Sequence, residues 1–181
     1  MIEIKLKNGN EEKIVNIPNG WDEITINDYI KLVQVPNDKL STSQIVVKNL
    51  SILTGIDEDE LYDLPMELFN DLIPHLTLFN EDIKGENVEY VELEGDKYYL
   101  KRDFEKLSLG ETISIDTITE KYNGNVDLAI KELLCIFLRR KDENGNLEKF
   151  KNEFMDRSEM FGTISITKVK DLFNFFLTGN Q

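Results

Sequence analysis

The chain is poor in the residues that build the commonest reactive and metal sites. It has one cysteine, Cys135, and one histidine, His75. A lone cysteine excludes an intrachain disulfide and fits a reducing compartment. A single histidine supplies no ligand cluster, and His75, between Pro74 and Leu76, reads as a structural or surface residue. Cys135 stands among Leu134, Ile136 and Phe137, where a small core residue is expected, not a nucleophile in a basic, accessible setting. There is no glycine-rich phosphate loop, no G-x-S-x-G and no H-E-x-x-H, so no catalytic, cofactor or metal site is expected. No apolar run approaches the roughly 18 residues of a membrane span, and the first residues do not read as a signal peptide. Basic residues are the other deficit. Lys plus Arg total 21 against 35 Asp plus Glu, a net charge of −14. That balance argues against general binding to nucleic-acid phosphates or anionic membranes, and leaves an acidic surface or a basic protein partner.

What is present is a repeated pattern. Gly20-Trp21-Asp22-Glu23-Ile24-Thr25-Ile26-Asn27-Asp28-Tyr29-Ile30 is echoed 83 residues later by Phe104-Glu105-Lys106-Leu107-Ser108-Leu109-Gly110-Glu111-Thr112-Ile113. Thr25 with Asp28, and Ser108 with Glu111, have capping-box spacing, so each copy predicts a helix start. Asp is shorter than Glu, so the first box should be the weaker.

A candidate hairpin precedes each copy. Ile2, Ile4 and Leu6 alternate with polar residues, Asn8-Gly9-Asn10 offers a turn, and Ile14, Val15 and Ile17 return. Later, Val88 and Tyr90 lead into Glu94-Gly95-Asp96, and Lys97 to Lys101 returns. Helical patterns follow both times. Ser41 to Ser43 can cap a helix ending at Gly55, Asp57 can cap a short acidic turn, and Pro74 should split the helix that contains it. Val126 to Leu138 predicts the most buried helix, with Arg139-Arg140-Lys141 in its last turn. Phe150 to Phe161 and Ser165 to Leu177 are further helical stretches. The expected fold is α+β and mostly helical, in two similar halves, 1–84 and 85–181, each a hairpin followed by helices and able to share one core. Duplication and convergence on one layout both remain open.

Other clusters point less far. Asp57-Glu58-Asp59-Glu60 lacks the alternating ligands and central glycine of a calcium loop and reads as a solvated helix start. Asp142, Asn144 and Asn146 alternate, with Glu153 at the twelfth place, but Gly145 is misplaced and a plain turn is expected. Arg139 to Lys141 is the clearest basic cluster, and reads as a helix-end cap.

Taken in order, Trp21 to Ile30, Leu50-Ser51-Ile52-Leu53-Thr54-Gly55-Ile56, Glu60-Leu61-Tyr62-Asp63-Leu64-Pro65 and Leu172-Phe173-Asn174-Phe175-Phe176-Leu177 resemble small virion-morphogenesis proteins of tailed bacteriophages. The resemblance is to tail assembly chaperones or minor head–tail structural proteins. It implies a non-enzymatic assembly or virion structural protein that binds other phage virion or assembly proteins, and admits a homo-oligomer. Direct nucleic-acid and membrane binding are not expected. The implied location is the cytoplasm of the host bacterial cell, with incorporation into the virion open. The candidate partner-binding face is Phe161, Phe173, Phe176 and Leu177, with filling of the core as the competing role. The alternative function is an acidic inhibitor or DNA mimic directed at a basic host protein. A hydrolase would need acids such as Asp57 and Asp59 to converge in a pocket.

Overall fold

Two seven-residue strands open the chain because apolar and polar residues alternate along both. In a computed structural model, residues 1–8, 11–36, 38–101, 103 and 106–170 are described, with backbone alone at 7, 8, 11, 12 and 77–80. The chain divides into two compact units, Met1–Lys84 and Gly85–Gln181. Among the described residues there are seven α-helices and two small antiparallel sheets, a mostly helical α+β fold.

In the first unit, β1 (Ile2–Asn8) pairs with β2 (Glu11–Ile17), Ile2 opposite Ile17. The period of two turns Leu6, Val15 and Ile17 into a core with Val47 and Leu50, and leaves Ile14 exposed. A 3-10 turn at Trp21–Glu23 leads to α1 (Ile26–Val33). Ser41 forms a full capping box with Gln44 to start α2 (Thr42–Thr54), and Gly55 ends it at φ +71°. That left-handed conformation is one glycine adopts without a Cβ penalty. Asp57 caps α3 (Glu58–Tyr62). Helix α4 (Met66–Leu72) stops just before Pro74, and the chain continues as a 3-10 helix, Ile73–Asn80. Proline lacks the N–H that would continue the ladder.

In the second unit, β3 (Tyr90–Leu93) and β4 (Asp96–Leu100) meet at Glu94 and Gly95, both at positive φ, 52° and 85°. Two such residues match the twist of a tight hairpin. Ser108 starts α5 (Leu109–Lys121), and Asn125 caps α6 (Val126–Phe137), whose Ala129, Ile130 and Leu133 to Phe137 are buried. Two expectations need correction. Arg139 does not lie in the last turn of α6. The helix ends at Phe137, and Leu138–Arg139 forms β5 against β4, with Tyr99 opposite Arg139. The hairpin thus becomes a three-stranded sheet. The stretch from Phe150 to Phe161 is not one helix either. It contains a 3-10 helix, Asn152–Arg157, and a single-turn α7, Ser158–Phe161. A further 3-10 turn covers Ile166–Val169, and residues 171–177 of the helix expected over Ser165 to Leu177 lie outside the described residues.

Candidate functional site

The two faces of α5 carry the chemistry of the second unit. The Ser108 hydroxyl accepts from the Glu111 N–H at 3.3 Å, and the Glu111 carboxylate accepts from the Ser108 N–H at 2.5 Å. This reciprocal box places Glu111 at N3, and the residue is 3% exposed. Lys101, just after β4, donates to Glu111 Oε1 at 2.7 Å, and Arg139 Nη2 donates to the same oxygen at 2.5 Å. Burial pushes the Glu111 carboxyl up. The hydrogen bonds from Lys101, from the Ser108 backbone and hydroxyl, and from Arg139 together outweigh it and hold the carboxyl at about 2.

Arg139 is equally tied. Its Nε donates to the Ile136 carbonyl at 2.8 Å and its Nη1 to the Glu148 carbonyl at 3.0 Å. Its guanidinium lies 5.2 Å from the Phe150 ring centre and 5.8 Å from that of Phe154. Arg157 stacks on the same Phe154 ring, 3.9 Å from its centre, and donates to Glu148 Oε1 at 2.6 Å. An open cleft of about 470 Å³ is lined by Lys101, Ser108, Glu111, Arg139, Leu147, Glu148, Lys149 and Phe150. Its buried charges are engaged with one another. A carboxyl held at about 2 is a fixed anion near neutrality, poorly matched to proton transfer. The arrangement braces α5 against β5; it does not present a free acid, base or nucleophile from Glu111 or Arg139.

The opposite face of α5 is open. Leu109 is 76% exposed and Ile113 55%. Asp116 and Glu120, also exposed, continue the same line at i+7 and i+11 from Leu109. At 100° per residue these four side chains fall within one narrow stripe. The repeat makes the contrast plain. Ile26, the counterpart of Leu109, is fully buried in the first unit, and Asp28, the counterpart of Glu111, is half-buried and pairs with Lys31.

The residues singled out from the sequence fall elsewhere. Phe161, expected on a partner-binding face, is corrected to a core residue. It is fully buried and meets Tyr98 edge-to-face at 5.2 Å. Phe173, Phe176 and Leu177 lie outside the described residues. Cys135 is buried and desolvated, with its thiol pushed up to about 12. His75 borders an open cleft of about 320 Å³ with Trp21, whose Nε1 donates to the Glu81 carbonyl at 3.0 Å. Asp57 is occupied as a cap, accepting from the Asp59 N–H at 2.9 Å. Asp142 accepts from the N–H groups of Asn144 and Asn146, both at 2.9 Å, within a turn closed by Gly145. Among the described residues, no cluster of His, Cys, Asp and Glu could hold a metal ion, and no helix is long and apolar enough to cross a membrane. The α5 stripe is masked in the sequence because Ile113, Ile115 and Ile118 mix alternation with helical spacing. The signal that finds it is the spacing of Leu109, Ile113, Asp116 and Glu120 counted from the Ser108 cap.

A scan against protein-family models, a search of curated proteins and a search of solved structures each find no match to this chain.

Proposed function

We propose that this chain is a non-enzymatic assembly or structural protein of a tailed bacteriophage, working by binding other phage proteins. The observation that carries the binding part is the pair Leu109 and Ile113, large apolar side chains one turn apart on an exposed helix face. Water contact with such a pair is relieved by a partner. The buried charges beneath the helix support the same reading, since they hold that face rigidly and engage one another. The phage assignment rests on the resemblance of Trp21 to Ile30, Leu50 to Ile56 and Glu60 to Pro65 to virion-morphogenesis proteins. On this reading the protein works in the cytoplasm of the producing cell, before or during particle assembly.

The test is photo-crosslinking from positions 109 and 113 of the full chain in producing cells, followed by mass spectrometry of lysate and purified particles. Crosslinks to tail or head proteins are expected. Crosslinks in the lysate with absence from particles mean a transient chaperone, and fixed stoichiometry in particles means a structural component. Crosslinks confined to a host nucleic-acid-binding protein would overturn the reading. That outcome would favour an acidic inhibitor or DNA mimic, for which the net charge of −14 is the supporting observation.

A further inference from the structure

We infer that the outward stripe of α5 docks a basic amphipathic helix, with apolar residues seated on Leu109 and Ile113 and cations paired with Asp116 and Glu120. The inference rests on the protein-binding function proposed above and names the chemistry of the partner. The stripe has two parts in sequence order. Its first half is apolar and exposed, and its second half carries two exposed carboxylates one turn apart. The cations nearest in sequence pair with other acids: Lys121 with Glu132, Lys131 with Glu159 and Lys106 with Asp103. A partner that covered Leu109 and Ile113 with an uncharged helix would leave both acids facing a drying surface without compensation. Lysine or arginine at the corresponding positions removes that cost and adds steering toward a chain of net charge −14. Charge also selects against the simplest alternative occupant. A second copy of this chain would bring the same acids and a second −14 to the interface. The stripe from Leu109 to Glu120 is roughly 16 Å long, the length of about three helical turns, so a partner segment of about 12 residues covers it.

The probe is a synthetic, fluorescently labelled helical peptide with two leucines four residues apart, followed in the same spacing by two lysines. It is made in both chain directions and titrated against the full chain by anisotropy at low and high salt. A matched peptide carries glutamates in place of the lysines. The lysine peptide is expected to bind at least about ten-fold more tightly than the glutamate peptide, with the difference shrinking at high salt. Asp116→Lys with Glu120→Lys should invert the preference. Leu109→Ser with Ile113→Ser should weaken the lysine peptide about ten-fold or more at unchanged melting temperature. Glu67→Lys with Asp71→Lys, the same charge change on the first unit, should leave it within about two-fold. Failure of the lysine peptide to bind, equal loss in the Glu67/Asp71 variant, or a dimer of the chain that depends on Leu109 would each overturn the inference. Crosslinks from positions 109 and 113 to phage proteins alongside such a failure would sink the basic helix and leave the protein-binding function standing.

Discussion

Glu111 is the residue on which the second unit turns. Its carboxylate accepts from Lys101, Arg139 and the Ser108 N–H, and its charge is what makes the burial of Arg139 and the partial burial of Lys101 tolerable. Removing it leaves Lys101 and Arg139 short of their anion. Glu111→Ala is therefore expected to destabilise by about 3–5 kcal/mol, measured by urea unfolding. The pH dependence has a definite sign. The folded carboxyl sits at about 2, below its ordinary 4.5. Its contribution is fully present above about pH 4.5 and is lost as pH falls from there toward 2. Between those limits the native chain should lose on the order of 3 kcal/mol from this group alone, and the Glu111→Gln variant should show a flatter acid limb. Cys135, by contrast, contributes packing, because burial keeps its thiol protonated.

Helix α5 is an element with a strong start and a weak body. Six of its thirteen residues are β-branched, which lowers helix propensity. The capping box and the ion pairs at Glu111 compensate at the first turn. Ser108→Ala should cost about 1–2 kcal/mol, read as a shift in urea midpoint at constant slope. The first copy of the pattern offers the complementary test. Thr25 accepts from the Asp28 N–H at 3.2 Å and donates to Asp28 Oδ2 at 2.7 Å, but the reciprocal bond of a full box is not formed. One methylene more would bring the carboxylate back to the Thr25 N–H. Asp28→Glu is expected to stabilise by about 0.5 kcal/mol. The expectation that the Asp box is the weaker came from side-chain length, and the structure agrees.

Across the whole molecule the acids set how the chain meets others. A net charge of −14 opposes self-association through any shared surface, the α5 stripe included. Sedimentation velocity at low salt should give a single species near 21.0 kDa. A dimer abolished by Ile113→Ser would show instead that apolar contact outweighs the repulsion. The mostly helical α+β class was legible from alternation at Ile2, Ile4 and Leu6 and from helical spacing at Ile26, Tyr29 and Ile30. The position of Phe161 was not, since an aromatic on a helical stretch reads the same whether it lies inside or out until its neighbours are known.

What the amino-acid sequence determined by itself is local. The starts of α1, α2, α3 and α5 at Thr25, Ser41, Asp57 and Ser108, the end of α2 at Gly55 and the stop before Pro74 depend on groups within about four residues of one another. The tertiary structure decided which way those elements face. Two helices that begin with the same signal bury opposite sides: Ile26 is inside and Leu109 is outside, while Asp28 is half-buried and Glu111 is enclosed. The reason is a contact that no local pattern contains. Arg139 reaches Glu111 from 28 residues away because Leu138 and Arg139 leave α6 to join β4, and that pairing turns the capping acid of α5 inward and its leucine and isoleucine out.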